Sequence, residues 1–311
     1  MTEIVTPADD RSHQHDGDHR WQESWAFHFY DPVNRVAGYQ HTGLQPVRGL
    51  ADCWSWFTVR GVLVRNFSSL NLPMPTGDYT DLRLGPLHVK SLVPNLKRLV
   101  TVDDGPVQAL LTYEAFQDEP IVLRKNGSGG YFDEISSDGH YETMGSVRGT
   151  LQVGKDVIDI NGFGYDDRSW GKRVFDNLHY RVLFGCFGPD FCCALYHVAT
   201  NSAGSQFGWV FDKGTFHHVS TVDFSVDMNN DGVTARGGRV KAWTESNGGY
   251  AFSIACDGGS IVTHRQNFMA SPALGVVECG GRLGTGMLEF SEMKRATPDL
   301  IERYGLDIGD K

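Results

Sequence analysis

Residues 149–171 read GTLQVGKDVIDINGFGYDDRSWG, an alternating hairpin that ends in a dense polar and aromatic cluster. From Gly149 to Asn161 the composition is that of ordinary strand. From Gly162 onward it is not. Gly162, Gly164 and Gly171 weaken a strand and mark bulges or close backbone approach. Two carboxylates, an arginine, a serine, a tyrosine and a tryptophan crowd between them. In an extended run, side chains alternate, so Tyr165, Asp167 and Ser169 share one face and Asp166, Arg168 and Trp170 the other. One aspartate then faces inward. A carboxyl lining an apolar barrel has its charged form disfavoured, so its pKa rises and it can act as a general acid or base near neutral pH. The same spacing also fits a surface ion pair of Asp166 with Arg168, with Trp170 in the core.

The texture outside this stretch is the same. Short β-prone runs, among them Arg181 to Gly188 and Tyr250 to Cys256, are punctuated by Asn126-Gly127, Asp138-Gly139, Asp231-Gly232, Asn247-Gly248 and Asp257-Gly258. Such dipeptides are hairpin turns, and with 37 glycines the chain reads as all-β, built from antiparallel sandwiches or barrels. Helix is expected only at the C-terminus, where Thr297 can cap, Pro298 suits the first helical position and Gly305 stops a short helix after Tyr304.

A length of 311 residues suits about two domains, and 40% hydrophobic residues can fill their cores. The Gly/Ser/Asp-rich stretch from Lys125 to Gly139 predicts the boundary, giving β units at 21–135 and 136–311. Residues 1–20 hold five acids and almost no apolar side chain, which predicts a disordered leader. Its His13, His15 and His19 could bind a metal, but a solvated tail looks the same.

Several function classes are excluded by composition. No run reaches the roughly 20 apolar residues of a membrane helix. The N-terminus lacks the basic start and apolar core of an export signal, which predicts a cytoplasmic location. Cys53, Cys186, Cys192, Cys193, Cys256 and Cys279 show no C-x-x-C spacing and read as buried, reduced thiols. With a formal net charge of −10 and no basic cluster larger than Lys97-Arg98, nucleic acid and anionic membranes are not expected partners.

Other candidates are weaker. His217 and His218 are adjacent in a strand-like run and point to opposite faces, and His28, His41, His140, His179, His197 and His264 have no local zinc spacing. Distant partners could still converge. Glu23, Glu114 and Glu142 each sit beside aromatic residues and are candidates to line a pocket, the alternative being edge-strand carboxylates. The stretch Gly127 to Gly130 lacks the Lys and Ser/Thr of a P-loop, and Ser169 lacks a nucleophile elbow, so neither a nucleotide cofactor nor a serine hydrolase is expected.

The string GFGYDDRSWG at 162–171 resembles the G-x-G-Y-x-D-H-[SN]-W-G signature of the carotenoid hydratase (hydroxyneurosporene synthase) and AttH-like superfamily. Trp21 to Trp25 with Glu23, the run Tyr113-Glu114-Ala115-Phe116, His140-Tyr141-Glu142 and the closing GTGMLEF at 284–290 fit the same resemblance. It implies two lipocalin-like β-barrel domains with a short C-terminal helix, and activity on bulky apolar substrates without a cofactor. Members include alkene hydratases acting on isoprenoids and relatives that guide Diels–Alder cyclisations. By position, Asp167 becomes the candidate proton donor to an alkene, with Tyr165 and Trp170 shaping the pocket. Arg168 stands where many relatives carry His, and an arginine can orient an anion but cannot relay a proton.

The expected function is therefore a cofactor-independent hydratase or dehydratase acting on an isoprenoid, steroid-like or polyketide-like substrate. Asp167, Asp166 and Arg168 carry the chemistry; Tyr165, Trp170, Glu23, Trp54, Trp56, Glu114, His140 and Glu142 bind substrate. Aromatic faces from Trp54, Trp56, Tyr165 or Trp170 could stabilise a carbocation. The alternatives are a lipocalin-type carrier of the same ligands and a shape-guided cyclase.

Overall fold

Two antiparallel sheets account for almost every described strand residue, the first holding eleven strands and the second nine. The computed structural model describes residues 5–123, 138–173, 179–199, 204–246, 248–264, 268–292 and 296–308. The first sheet comprises β1 (Trp21–Asp31), β2 (Val36–Gln45), β3 (Leu50–Val59), β4 (Val62–Pro73), β5 (Asp81–Leu84), β6 (Leu87–Val93), β7 (Lys97–Asp104), β8 (Val107–Ala115), β9 (Ile121–Val122), β10 (Gly139–Val153) and β11 (Asp156–Lys172). Its order is β4-β3-β2-β1-β11-β10-β8-β7-β6-β5, with β9 on β10. The second sheet comprises β12 (His179–Cys186), β13 (Phe191–Ala199), β14 (Gly204–Asp212), β15 (Thr215–Met228), β16 (Ala235–Thr244), β17 (Gly249–Gly259), β18 (Val262–His264), β19 (Phe268–Cys279) and β20 (Arg282–Glu292). It runs β17-β16-β15-β14-β13-β12-β20-β19-β18, and β17 also pairs with β19, which closes it into a barrel. This is the expected all-β pair of barrel-like units.

Strand alternation builds three apolar layers from these two sheets. On β1, Trp25, Phe27 and Phe29 fill the first sheet's own core, while Tyr30 joins Tyr39, Trp54, Trp56 and Tyr165 in a layer against the second sheet. That layer is completed by Val182, Phe184, Tyr196 and Trp209 of β12, β13 and β14. A third cluster around Leu183, Leu195 and Phe252 fills the second barrel. Each such large side chain contributes about 1.5–3 kcal/mol when fully buried. The two barrels therefore share a middle layer, and any polar group placed there is out of bulk water.

The glycines of the central motif act by close approach, since β11 pairs with β1 in unbroken register from Trp21–Lys172 to Tyr30–Phe163. A Cβ on Gly164 would lie 2.6 Å from the His28 carbonyl oxygen and 2.7 Å from Val147 Cγ2. No larger residue fits there without moving β1.

Three expectations need correction. The hairpin of β10 and β11 belongs to the first sheet, because β10 pairs with β8 and β11 with β1, so the sheets change over after Lys172 and not at 135. Of the Lys125 to Gly139 stretch that suggested the boundary, residues up to 137 lie outside the described residues, and Asn126-Gly127 with them. Residues 5–20 are not a disordered leader. Asp10 is fully buried with a carboxylate oxygen 2.7 Å from Arg98 Nη2, and His13 stacks on Trp170 at 3.8 Å. Ordering here comes from buried charge pairs, which a tally of apolar residues does not register. Asp257-Gly258 is no turn but a register shift within β17, where Gly258 abuts Thr58 of β3; Asp138-Gly139 leads into β10; Asn247 lies outside the described residues.

The C-terminal helix α1 (Pro298–Tyr304) forms as expected, with Pro298 at its start and Gly305 left-handed at φ 58°. Thr297 is the N-cap residue, though its side chain makes no capping bond. Leu300 and Leu306 pack on Val233, Ile261 and Met269. Among the described residues, no helix is long and apolar enough to cross a membrane.

Candidate active site

The β11 register decides which polar groups meet. Tyr165 pairs with His28 of β1 and Met144 of β10, Asp167 with Ala26 and Glu142, and Ser169 with Ser24 and His140. Tyr165, Asp167 and Ser169 point together into a cavity of about 180 Å³ between the two sheets. Its other wall carries Tyr180 and Phe184 of β12, Tyr196 of β13, Phe268 of β19, and Met287 and Glu289 of β20. His28, Tyr39, His41, His140 and Arg173 also line it. Phe184 stacks on Tyr165 at 4.0 Å and tilts against His28 at 5.3 Å, so the aromatic wall is continuous from sheet to sheet.

A hydrogen-bond chain runs from the protein interior to this cavity. Glu142 is fully buried behind Tyr165. Its Oε1 lies 2.6 Å from the Tyr165 hydroxyl and also accepts from Tyr196; its Oε2 accepts from Trp209 Nε1 at 3.1 Å. The Tyr165 oxygen is also 3.1 Å from Asp167 Oδ2, and His140 Nε2 is 2.8 Å from that same oxygen. Tyr165 has one proton, so it can donate to only one carboxyl at a time. Both contacts are hydrogen bonds only when the other carboxyl is protonated and donates to the phenol oxygen. The Glu142–Tyr165–Asp167 chain thus has room for one mobile proton.

Electrostatics poises the Glu142 end of the chain near neutral pH. Burial pushes Glu142 up to about 7, against the opposing effects of the His140 charge and the Tyr165 hydrogen bond. For His140, burial opposes the charge, but the neighbouring Asp167 carboxylate and its hydrogen bond outweigh it and raise the pKa. On the far wall Glu289, bonded to Tyr180, is pushed by burial up to about 7. Burial alone drives His28 down to about 3, so its imidazole is neutral. Burial also pulls Arg173 down to about 10, and its Nη2 donates to Ser169 Oγ at 2.9 Å.

His140, Glu142 and Asp167 each offer a ligand atom within 4.8 Å of the others, so residues far apart in sequence do converge. The donor set argues against an ion here. Both Glu142 oxygens already accept hydrogen bonds from neutral donors, and an ion would displace Tyr165, Tyr196 or Trp209.

The candidates from the sequence separate into two groups. Asp167, Tyr165 and His140 meet in the cavity, with Glu142 behind them. Asp166 and Arg168 lie on the opposite face, as alternation requires, but they do not pair and neither is at the surface. Asp166 accepts from Trp25 Nε1 at 2.8 Å and from Arg98 Nε at 2.8 Å, inside the first barrel. Arg168 donates to Glu23 at 3.1 Å and lies 3.7 Å over the Tyr79 ring. Trp170 faces His13, and Glu23 is held by His13 and Arg168, so neither shapes the cavity. Trp56 and Trp54 stand behind the lining, stacked on Tyr39 at 5.7 Å and edge-on to His41 at 4.9 Å. Glu114 is at the surface with Lys97 and does not line this cavity. Glu289, Tyr39, Tyr180 and Tyr196 were missed. The one local signal was an acid inside the apolar run GTGMLEF at 284–290.

With this geometry in view, comparisons bear on the fold. A family model described as "Domain of unknown function (DUF7064)" matches residues 6–294. A search of curated proteins finds no match. Among solved structures, kievitone hydratase from Nectria haematococca superposes with a TM-score of 0.65 at 12% identity, covering 94% of each chain. An AttH of Nitrosomonas europaea gives 0.64 at 11% identity over 94% of this chain and 98% of the other. CghA gives 0.60 at 11% identity over 89% of each. These similarities establish a shared fold, the one the central motif implied.

Proposed function

The chain belongs to the DUF7064 family, a domain of unknown function, and from that premise we propose that it is an enzyme adding water to, or removing it from, a carbon–carbon double bond of a bulky apolar substrate. One observation carries this reading: a proton chain from Glu142 through Tyr165 to Asp167 opens into an aromatic-lined cavity between two barrels. Asp167 is the group that exchanges the proton with substrate. Glu142 is the reserve behind it, and His140 holds the Asp167 carboxyl in place at 2.8 Å. The cavity supplies low dielectric, in which one positioned acid contributes about 10²–10⁴-fold in rate. That kievitone hydratase and CghA share the fold supports a small-molecule reaction in this location. No step of this chemistry needs a cofactor.

The test is to incubate the protein with a panel of isoprenoid, steroid-like and polyketide-like alkenes and alcohols in heavy-oxygen water. A product heavier by one labelled water, or an alcohol that loses one, supports the reading. Tight binding of panel members without any such change would favour a carrier, and a product of unchanged mass a cyclase.

A further inference from the structure

The cavity carries two further acidic hydroxyl donors that the proton chain does not use, Glu289 on the wall opposite Asp167 and Tyr39 on the same sheet as Asp167. Glu289 of β20 is 7% exposed, and among the described residues its carboxyl has one hydrogen-bond partner, the hydroxyl of Tyr180. Tyr39 of β2 is 4% exposed, stacked on Trp56, and among the described residues its hydroxyl has no hydrogen bond. Both line the cavity. Asp167 lines the same cavity, so the three side chains border one space. Polar groups at an apolar cavity gain by meeting a partner there, and both of these line the space that a substrate would occupy.

We infer that Glu289 and Tyr39 form a two-donor site for a carbonyl oxygen, and that the substrate's double bond is conjugated to that carbonyl. This rests on the water-addition reading above and specifies its substrate. Burial raises Glu289 to about 7 and the Tyr39 phenol well above its ordinary value, so below pH 7 both are mostly in their neutral, donating forms. A carboxylic acid and a phenol in an apolar site are the strongest neutral donors a protein can direct at a developing enolate. In the hydration direction, Asp167 takes a proton from water as its oxygen bonds to the carbon β to the carbonyl. The π electrons move onto the carbonyl oxygen, where Glu289 and Tyr39 donate to it. The enolate then takes the proton back from Asp167 at the α-carbon. Atoms and charge balance, with one water consumed. No open carbocation forms on this route, so it does not call on the aromatic faces of Trp54, Trp56, Tyr165 or Trp170 to stabilise one.

The groups facing Glu289 are Tyr180 from β12, Asp167 from β11 and Tyr39 from β2; His28, His41, His140, Tyr165 and Arg173 line the rest of the cavity. The experiment uses benzylideneacetone, whose ultraviolet band moves to the red when its ketone accepts a strong hydrogen bond, and the hydrocarbon β-methylstyrene, which lacks the ketone. Their binding to the full-length protein is compared at pH 6 and pH 8.5. The ketone is expected to bind about tenfold more tightly than the hydrocarbon at pH 6, the worth of one good hydrogen bond, with a red-shifted band. That preference should weaken at pH 8.5, where Glu289 is ionised and Tyr39 alone still donates. Glu289→Gln should remove the pH dependence, and Tyr39→Phe should weaken the preference at pH 6. Equal binding of the two probes to the wild type at pH 6, binding of neither, or an unshifted band overturns the inference. Because no turnover is read, these outcomes are separate from those that decide whether Asp167 moves a proton.

Discussion

Asp166 and Asp167 are neighbours in the chain, yet their carboxyls lie in different compartments. Asp166 is bonded to Trp25 and Arg98 within the first barrel, and Asp167 to His140 in the cavity between the barrels. One residue of strand places them on opposite sides of the sheet. The same chemical change at the two positions should therefore have different consequences.

Asp166→Asn leaves Arg98 charged, buried and facing an amide. Removing one partner of a buried pair costs about 3–5 kcal/mol, and Asp10 still holds the other side of the guanidinium, so a loss of about 3 kcal/mol is expected. Urea unfolding of the variant measures it. An unchanged midpoint would mean that the pair is not formed.

The N-terminal segment is expected to contribute to stability as well. Deleting residues 1–12 removes Asp10 from Arg98 and the Arg11 carbonyl from Arg168 Nη2, where the bond is 3.2 Å. The truncated protein should unfold at a lower temperature, by about the 3 kcal/mol of an uncompensated buried charge. A disordered leader could be cut without effect, so an unchanged melting temperature would restore that view.

The pH dependence of stability has a sign that follows from Glu289. Its pKa is raised by burial from 4.5 to about 7, so the folded state holds the proton more tightly than the unfolded chain. Its stabilising contribution is fully present below about 4.5 and is lost as pH rises through about 7. Glu289→Gln keeps an uncharged side chain throughout. Its melting temperature, relative to wild type, should therefore climb between pH 5 and pH 8. A flat difference would show that Glu289 is not buried in its acid form.

Zinc provides a separate check on the His140, Glu142 and Asp167 cluster. With both Glu142 oxygens already bonded, added zinc chloride should not raise the melting temperature, and dialysis against EDTA should leave turnover intact. A saturable rise in melting temperature that His140→Ala abolishes would make the cluster a metal site.

Much of this site was legible along one strand. The alternation that separates Tyr165, Asp167 and Ser169 from Asp166, Arg168 and Trp170 is a local property of extended chain, and the structure keeps it. Partners set by pairing were not legible. Asp166 meets Arg98 because β7 and β11 line the same barrel, and nothing between residues 98 and 166 announces it. Glu289 reaches the cavity because β20 of the second barrel packs across the first, a contact between sheets that no local pattern records. The boundary failed for a related reason: β10 and β11 pair back to strands formed far earlier in the chain.

The central claim is that Asp167 exchanges a proton with substrate, and steady-state kinetics of Asp167→Asn on the substrate found in the heavy-oxygen screen tests it most directly. Asparagine keeps nearly the same shape and can still meet His140, so the melting temperature and KM should change little. It cannot carry the proton delivered by Tyr165, so kcat should fall by about 10²–10⁴-fold, the contribution of a positioned acid or base. A variant that turns over at the wild-type rate would contradict the claim.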